Sequence, residues 1–351
     1  MIIYSKSSGV NDAAIGKLET PIKMIIEHES DIQSKKGGAC DWLFNVERSH
    51  RFGETIIGQK EFGVFQATPE GSAYAADTVA ETYRKFIEHI QFTKEFTITA
   101  EMMEDAAYGV AADAKRRAEN FTRAYYKTRN KLCTYALTNA TQASGTFAGA
   151  TLDLTSGDGA PLFSFDHASS FSGREQCNYY YGDVLATGTE ADRTYSLPLL
   201  AERLSMLCTY MRDYQDENGE PLGYTPDTIV VPGNRYKVEM MIKKVCGTPG
   251  AESLEDSGIN LNYGNWNVIV LPEWIASDDR FILMSSDANR DLCGNMFFNR
   301  VPLSVSNFVD HHTGNYTWSG RCRFGVGFGS YKHAMMIVDS TKEVQGARQL
   351  A

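Results

Sequence analysis

Long apolar runs are missing from this 351-residue chain. None approaches the ~20 residues that a membrane-spanning helix needs, so no membrane partner is expected. Cysteine is sparse and scattered. There are seven, an odd number, and no two stand in CxxC spacing. That excludes the common zinc and dithiol motifs and reads as reduced thiols. None of the seven histidines stands in HExxH or HxxxH spacing, which removes the usual helical metal pairs. No GxxxxGK[ST] loop and no GxSxG elbow occurs, so an NTPase and a serine hydrolase of those classes are excluded. Positive charge is also short. Thirty-four Lys and Arg face 44 Asp and Glu, a net charge of −10. That argues against general nucleic-acid binding but leaves room for a basic patch on one face. The opening residues lack the apolar core and cleavage site of a signal peptide. No catalytic, cofactor-binding or metal-binding residue is identified, and the chain is not expected to be an enzyme or to carry a cofactor.

Hydrophobic pattern, by contrast, is abundant and changes period once in a telling place. Across 81–99 the residues Phe86, Ile90, Phe92, Phe96 and Ile98 stand at or near every second position. This predicts one long half-buried strand. From Thr99 the spacing becomes helical, through Met103, Ala107, Val110, Ala114, Phe121, Tyr125, Leu132 and Ala136. Glu101, Glu104 and Asp105 stand early and Lys127, Arg129 and Lys131 late, an order that suits the helix dipole. An unbroken helix over 99–140 would be roughly 60 Å long. A long strand feeding a long helix suits an extended, self-associating subunit better than a compact enzyme domain.

The rest of the chain sorts around that pair. Residues 1–50 show little sign of a core of their own and read as an extended arm. Residues 55–68 are strand-like, with Gly58 and Gly63 as candidate bulges, and 69–77 break the pattern. Together with 81–99 they predict a hairpin on the order of 40 Å long. Helices are expected at 197–214 and 234–245, and short strands at 228–231, 267–271 and 280–284. Residues 301–338 are expected to be β-rich. The class is α+β. The acidic segment 213–220 has the wrong register for a calcium loop and reads as a helix-to-strand turn. Gly325-Val-Gly-Phe-Gly329 lacks phosphate-loop spacing and reads as a crowded strand.

These parts, in this order, resemble the HK97-type major capsid proteins of tailed bacteriophages, and locally the branch with Mu-like head subunits. The resemblance rests on 96–105 (Phe-Thr-Ile-Thr-Ala-Glu-Met-Met-Glu-Asp), on Pro161-Leu-Phe-Ser-Phe-Asp-His167 with Asn178, and on 219–232. Ala106 and Ala168 depart from the branch pattern. The resemblance implies an N-terminal arm at 1–52 and an E-loop hairpin at 53–98. It implies a peripheral domain at 99–229 with a spine helix at 99–140, an axial domain at 230–316, and return strands with a tail at 317–351. It implies a virion component, assembled in the host cytoplasm, that builds pentamers and hexamers of itself. Partners would be a portal, a separate scaffolding protein and nonspecifically contacted packaged DNA. An encapsulin-like nanocompartment shell is the alternative on the same fold, and an enzyme of unrecognised class a more distant one. The hairpin tip carries more apolar surface than one subunit can cover, so Phe62, Phe65, Arg84 and Lys85 are expected at an intersubunit contact.

Overall fold

The computed structural model describes residues 3–4, 13–73, 76, 80–99, 101, 110–168, 175–188, 192–247 and 262–350, with side chains from residue 22 onward and not those of 110–112. The chain divides into two compact units. The first comprises Met1–Glu54, Ile87–Cys133 and Phe297–Val326, and the second Thr55–Phe86, Thr134–Met296 and Gly327–Ala351.

The first unit is a sheet backed by helices. Its strands run in the order β1 (Ile3–Tyr4), β16 (Asn295–Val309), β17 (Tyr316–Phe328), β5 (Ile90–Ile98), and β2 (Asn45–Arg48) also pairs β16. β5 lies antiparallel to β17, with Ile98 opposite Tyr316 and Ile90 opposite Phe324. On one face Phe96 stacks on Trp318 at 5.4 Å between ring centroids and meets Phe121 of the long helix α3 (Val110–Thr138) at 5.2 Å. Further along, Phe92 stacks on Phe324 at 5.0 Å. Of the apolar positions at helical spacing, Phe121 faces this sheet, while Met103 lies outside the described residues. Gly325 of β17 has no room for a side chain, since a Cβ there would stand 2.8 Å from the Glu88 carbonyl oxygen. That is the crowded-strand reading.

Two expectations fail, one in this unit and one where the chain enters it at residue 87. The arm is not extended: α1 spans Ala13–Lys36 and is followed by the short α2 (Ala39–Leu43). The run Ile22, Ile25, Ile26 is one turn of helical spacing. Ile22 and Ile26 are buried together with Ala114 and Ala118 of α3. The small alanines let the two helices approach, and each buried isoleucine contributes about 1.5–3 kcal/mol. Glu29 accepts from Arg123 at 2.7 Å, and Ser30 and Tyr126 share a hydroxyl bond of 2.8 Å. Burial would raise the Glu29 pKa, but the Arg123 bond, the largest influence, holds it below the ordinary carboxylate value.

The second failure is the long strand 81–99. It breaks at His89 into β4 (Glu81–Glu88) and β5. Before the break Lys85 and Ile87 are buried and Phe86 is exposed; after it the inward positions are Phe92, Phe96 and Ile98. A one-residue interruption thus switches which parity faces inward. The buried His89 ring holds the break by a 2.7 Å bond between Nδ1 and the Phe52 carbonyl oxygen.

The second unit is built on a six-stranded sheet in the order β14 (Asn267–Leu271), β13 (Thr228–Pro232), β15 (Arg280–Met284), β18 (Ala334–Asp339), β10 (Tyr179–Gly182), β19 (Arg348–Gln349). β18 is buried along its whole length, as a central strand covered on both faces must be. Helices α4 (Leu197–Arg212) and α5 (Tyr236–Gly247) cover the sheet through Leu200, Leu204, Leu207, Val238 and Ile242, packed on Ile229, Val231, Phe281 and Ile337. Ser196 caps α4, its hydroxyl accepting from the Leu199 N–H. Strands from both sides of residue 230 share this sheet, so the division expected there is not one between compact units. Smaller ribbons pair β6 (Ser144–Phe147) with β7 (Ala150–Asp153), β8 (His167–Ala168) with β9 (Glu175–Gln176), and β11 (Ala186–Thr187) with β12 (Thr194–Tyr195). The 213–220 segment is a turn held by Asp216, whose carboxylate accepts from the Asn218 and Glu220 N–H groups at 2.8 and 2.7 Å.

Candidate functional site

Among the described residues, the hairpin exposes Ile57, Phe62, Val64, Phe65 and Phe86. Its outbound strand β3 (Gly53–Gln59) pairs with β4, and the Lys60 N–H closes the ladder on the Ala80 carbonyl at 2.9 Å. Seven residues of strand extend about 23 Å, so the regular ribbon is shorter than expected. β5 belongs to the sheet of the first unit instead. Beyond residue 60 the chain leaves regular structure, and Phe62, Val64 and Phe65 are exposed at 69%, 73% and 103%. Part of the tip, including residues 74–75 and 77–79, lies outside the described residues. Three large apolar side chains side by side in water cost hydrophobic free energy that docking would recover.

Two side chains, Tyr83 and Lys85, hold the root within the second unit. Tyr83 lies between two glycines: a Cβ on Gly58 or on Gly157 would stand 2.3 Å from its ring. Burial, the largest influence, pushes its hydroxyl well above the ordinary tyrosine pKa. Lys85 contradicts expectation. It is 8% exposed, and its ammonium bonds to Asp153 and Thr155 of the same chain. It is therefore an internal anchor and not a group available to a neighbour. Burial works to raise the Asp153 pKa, but the bonds from Lys85 and Thr155 hold it below the ordinary value. Arg84 points out and pairs with Glu81 at 2.9 Å. Period-2 spacing could have flagged this, since Tyr83, Lys85 and Ile87 share one parity. No local pattern marks Asp153, 68 residues on, as the partner of Lys85.

A Tyr83→Ala change should cost about 3 kcal/mol. Hydrogen exchange should quicken at 55–59 and 81–86 while the α4–α5 core stays protected. Unchanged protection in the hairpin would show that this ring is not its anchor.

Alongside the root lies a cleft of about 560 Å³, with Gly58, Tyr83, Glu217 and Lys332 among its lining residues. Lys332 pairs there with Glu217 at 3.3 Å. The only arrangement with a catalytic look lies elsewhere among the described residues of this unit. His167 Nδ1 is 2.6 Å from Asp158 and Nε2 is 3.1 Å from the Asn178 side-chain oxygen. The ring is fully buried and stacks on Tyr331 at 3.8 Å. Asn178 donates to the carbonyls of Leu162, Tyr331 and Ala334 and accepts from the Ser164 N–H. Both ring nitrogens are engaged and no substrate can reach them, so this network pins the fold. Burial, the largest single influence, would raise the Asp158 pKa, but the bond and charge of His167 together with bonds from Ser156 and the Ala160 N–H hold the carboxyl low. Leu162, Ser164, His167 and Asn178, which stand in the segments that carry the resemblance, belong to this network. No cluster of metal-ligating side chains occurs among the described residues.

A sequence-family model described as "Phage capsid protein" matches residues 82–337. No curated protein matches the chain by sequence. Among solved structures, the capsid of cyanophage P-SCSP1u is 10% identical with a TM-score of 0.52, over 86% of this chain and 87% of that one. A structure from Mycobacterium phage Patience is 12% identical with a TM-score of 0.50, over 98% and 94%. The capsid of the native GTA particle is 11% identical with a TM-score of 0.50, over 86% and 90%. At such identities these likenesses speak for the fold alone.

Proposed function

Because this chain belongs to the phage capsid protein family and is a structural shell subunit with the HK97-type fold, we propose that its hairpin tip closes the shell by docking on a neighbouring subunit. The observation that carries this is the exposed Phe62, Val64 and Phe65. Arg84 is the nearby charge that a neighbour's acidic surface can pair. Copies join in pentamers and hexamers, and many weak, repeated contacts close by symmetry. The first unit, with α1, α3 and the β5–β17 sheet, is the peripheral domain. The second unit, with the six-stranded sheet, is the axial domain around the local symmetry axes. On this reading the domain change lies at about 134, where 230 was expected, and the return segment is 297–326, where 317–351 was expected. The subunit works by assembly and has no catalytic step. The shell forms in the host cytoplasm around a separate scaffolding protein and a portal, and then encloses double-stranded DNA.

The test is light scattering and negative-stain microscopy of the purified full chain. Capsomers or particles of megadalton size are expected. A monomer at every salt concentration would overturn the reading.

A further inference from the structure

We propose that the solvent face of α3 is the surface by which the subunit contacts packaged duplex DNA. This rests on the shell reading and requires that the face line the interior. The observation is a concentration of charge. α3 carries seven Lys and Arg against two Asp and Glu, a net +5 in 29 residues. The whole chain is −10, so the remaining residues carry −15. Between Asp113 and Lys131 the exposed residues of the helix are Lys115, Arg116, Asn120, Arg123, Lys127 and Lys131. Apart from Lys115 they follow i, i+4, i+7, i+11 and i+15, one stripe about 22 Å long. Arg129 is not part of it, being buried over the Phe297 ring at 5.1 Å.

Local carboxylates reduce this charge without cancelling it. Asp113 is shared by Arg116 and Arg117, Glu119 is 3.9 Å from Lys115, and Glu29 is 2.7 Å from Arg123. Six cations against three carboxylates leave a net +3. Lys127 and Lys131 make no ion pair among the described residues.

Duplex DNA is favoured over a protein partner by what the stripe lacks. Protein interfaces are anchored by buried aromatic or aliphatic side chains. Every exposed residue of this stretch is basic or Asn, which suits a surface recognised through charge alone. A duplex presents one phosphate per ~1.7 Å of axis, so about 13 phosphates lie alongside a 22 Å stripe. Contacts of this kind carry no sequence preference.

The test uses the full-length chain and a fluorescent 30-base-pair duplex of random sequence, titrated between 50 and 200 mM salt. With the four cations of the stripe, Arg116, Arg123, Lys127 and Lys131, each neutralising one phosphate, affinity should fall about 150-fold across that range. In the double variant Lys127→Ala, Lys131→Ala it should fall only about 12-fold, and binding at 50 mM should weaken. Both side chains are exposed, so the melting temperature should not move. As a control, Met24→Ser with Ile32→Ser on the neighbouring α1, exposed at 63% and 45%, should leave DNA binding unchanged. Equal salt slopes for the wild type and the Lys variant, or no binding by the wild type, overturn the proposal. So does loss of DNA binding in the α1 control alone, which would place the contact on a different, partly apolar surface. Light scattering of the same samples separates this from the shell reading: particles that form but ignore the duplex sink only the DNA face.

Discussion

Replacing residues 62–79 with a short Gly-Ser turn should leave a subunit that melts like the full chain and yet forms no closed shell. The described residues removed are nearly all exposed, so little apolar burial within the subunit is lost. The cut spares Lys60, whose N–H bonds to Ala80, and Glu61, whose carbonyl accepts from the Asn218 amide at 2.9 Å. It also spares Tyr83 and Lys85, which tie the root down. A shorter loop is slightly easier to close, by a fraction of a kcal/mol. Assembly is affected quite differently. Each docked phenylalanine contributes roughly 1.5–3 kcal/mol per interface, and symmetry repeats the loss at every copy. Circular dichroism melting reads the first effect and electron microscopy the second. Normal particles from the truncated chain would show that the tip is not a clamp. Failure to fold would show that it belongs to the subunit's own core.

Proline at Ala118 should have the opposite profile and destroy the subunit itself. Ala118 is fully buried near the middle of α3. Its carbonyl accepts a bond from the Thr122 hydroxyl at 3.1 Å. Proline there removes the backbone bond to residue 114 and strikes its carbonyl, at about 3 kcal/mol or more. The ring must also fit where Ile22 and Ile26 already pack, which adds roughly 1–3 kcal/mol of overpacking. The sum rivals the whole stability of an ordinary domain. The expected result is insoluble protein or a melting temperature lower by about 10 °C or more. Ala118→Gly, at about 1 kcal/mol, should remain soluble. An A118P chain that melts like wild type would mean that α3 is not one continuous, packed helix.

Local pattern determined a good deal. Helical spacing placed α3, α4 and α5, and short β-branched runs placed β13, β14 and β15, because period and turn chemistry act over a few residues. The charge on α3 was also there to be read, as was the excess of phenylalanine in the tip. The tertiary structure alone decided three things. The Phe52 carbonyl, 37 residues away, holds His89 and switches the inward parity of a strand that reads as continuous. Asp153 and Thr155 bind the Lys85 ammonium, and nothing in the strand that carries Lys85 names those partners. And α3, by offering Ala114 and Ala118, turns an apparently extended arm into a packed helix. In each case the deciding partner is remote in sequence. Such contacts form only once the intervening chain has folded and closed, and no periodicity within a single segment encodes them.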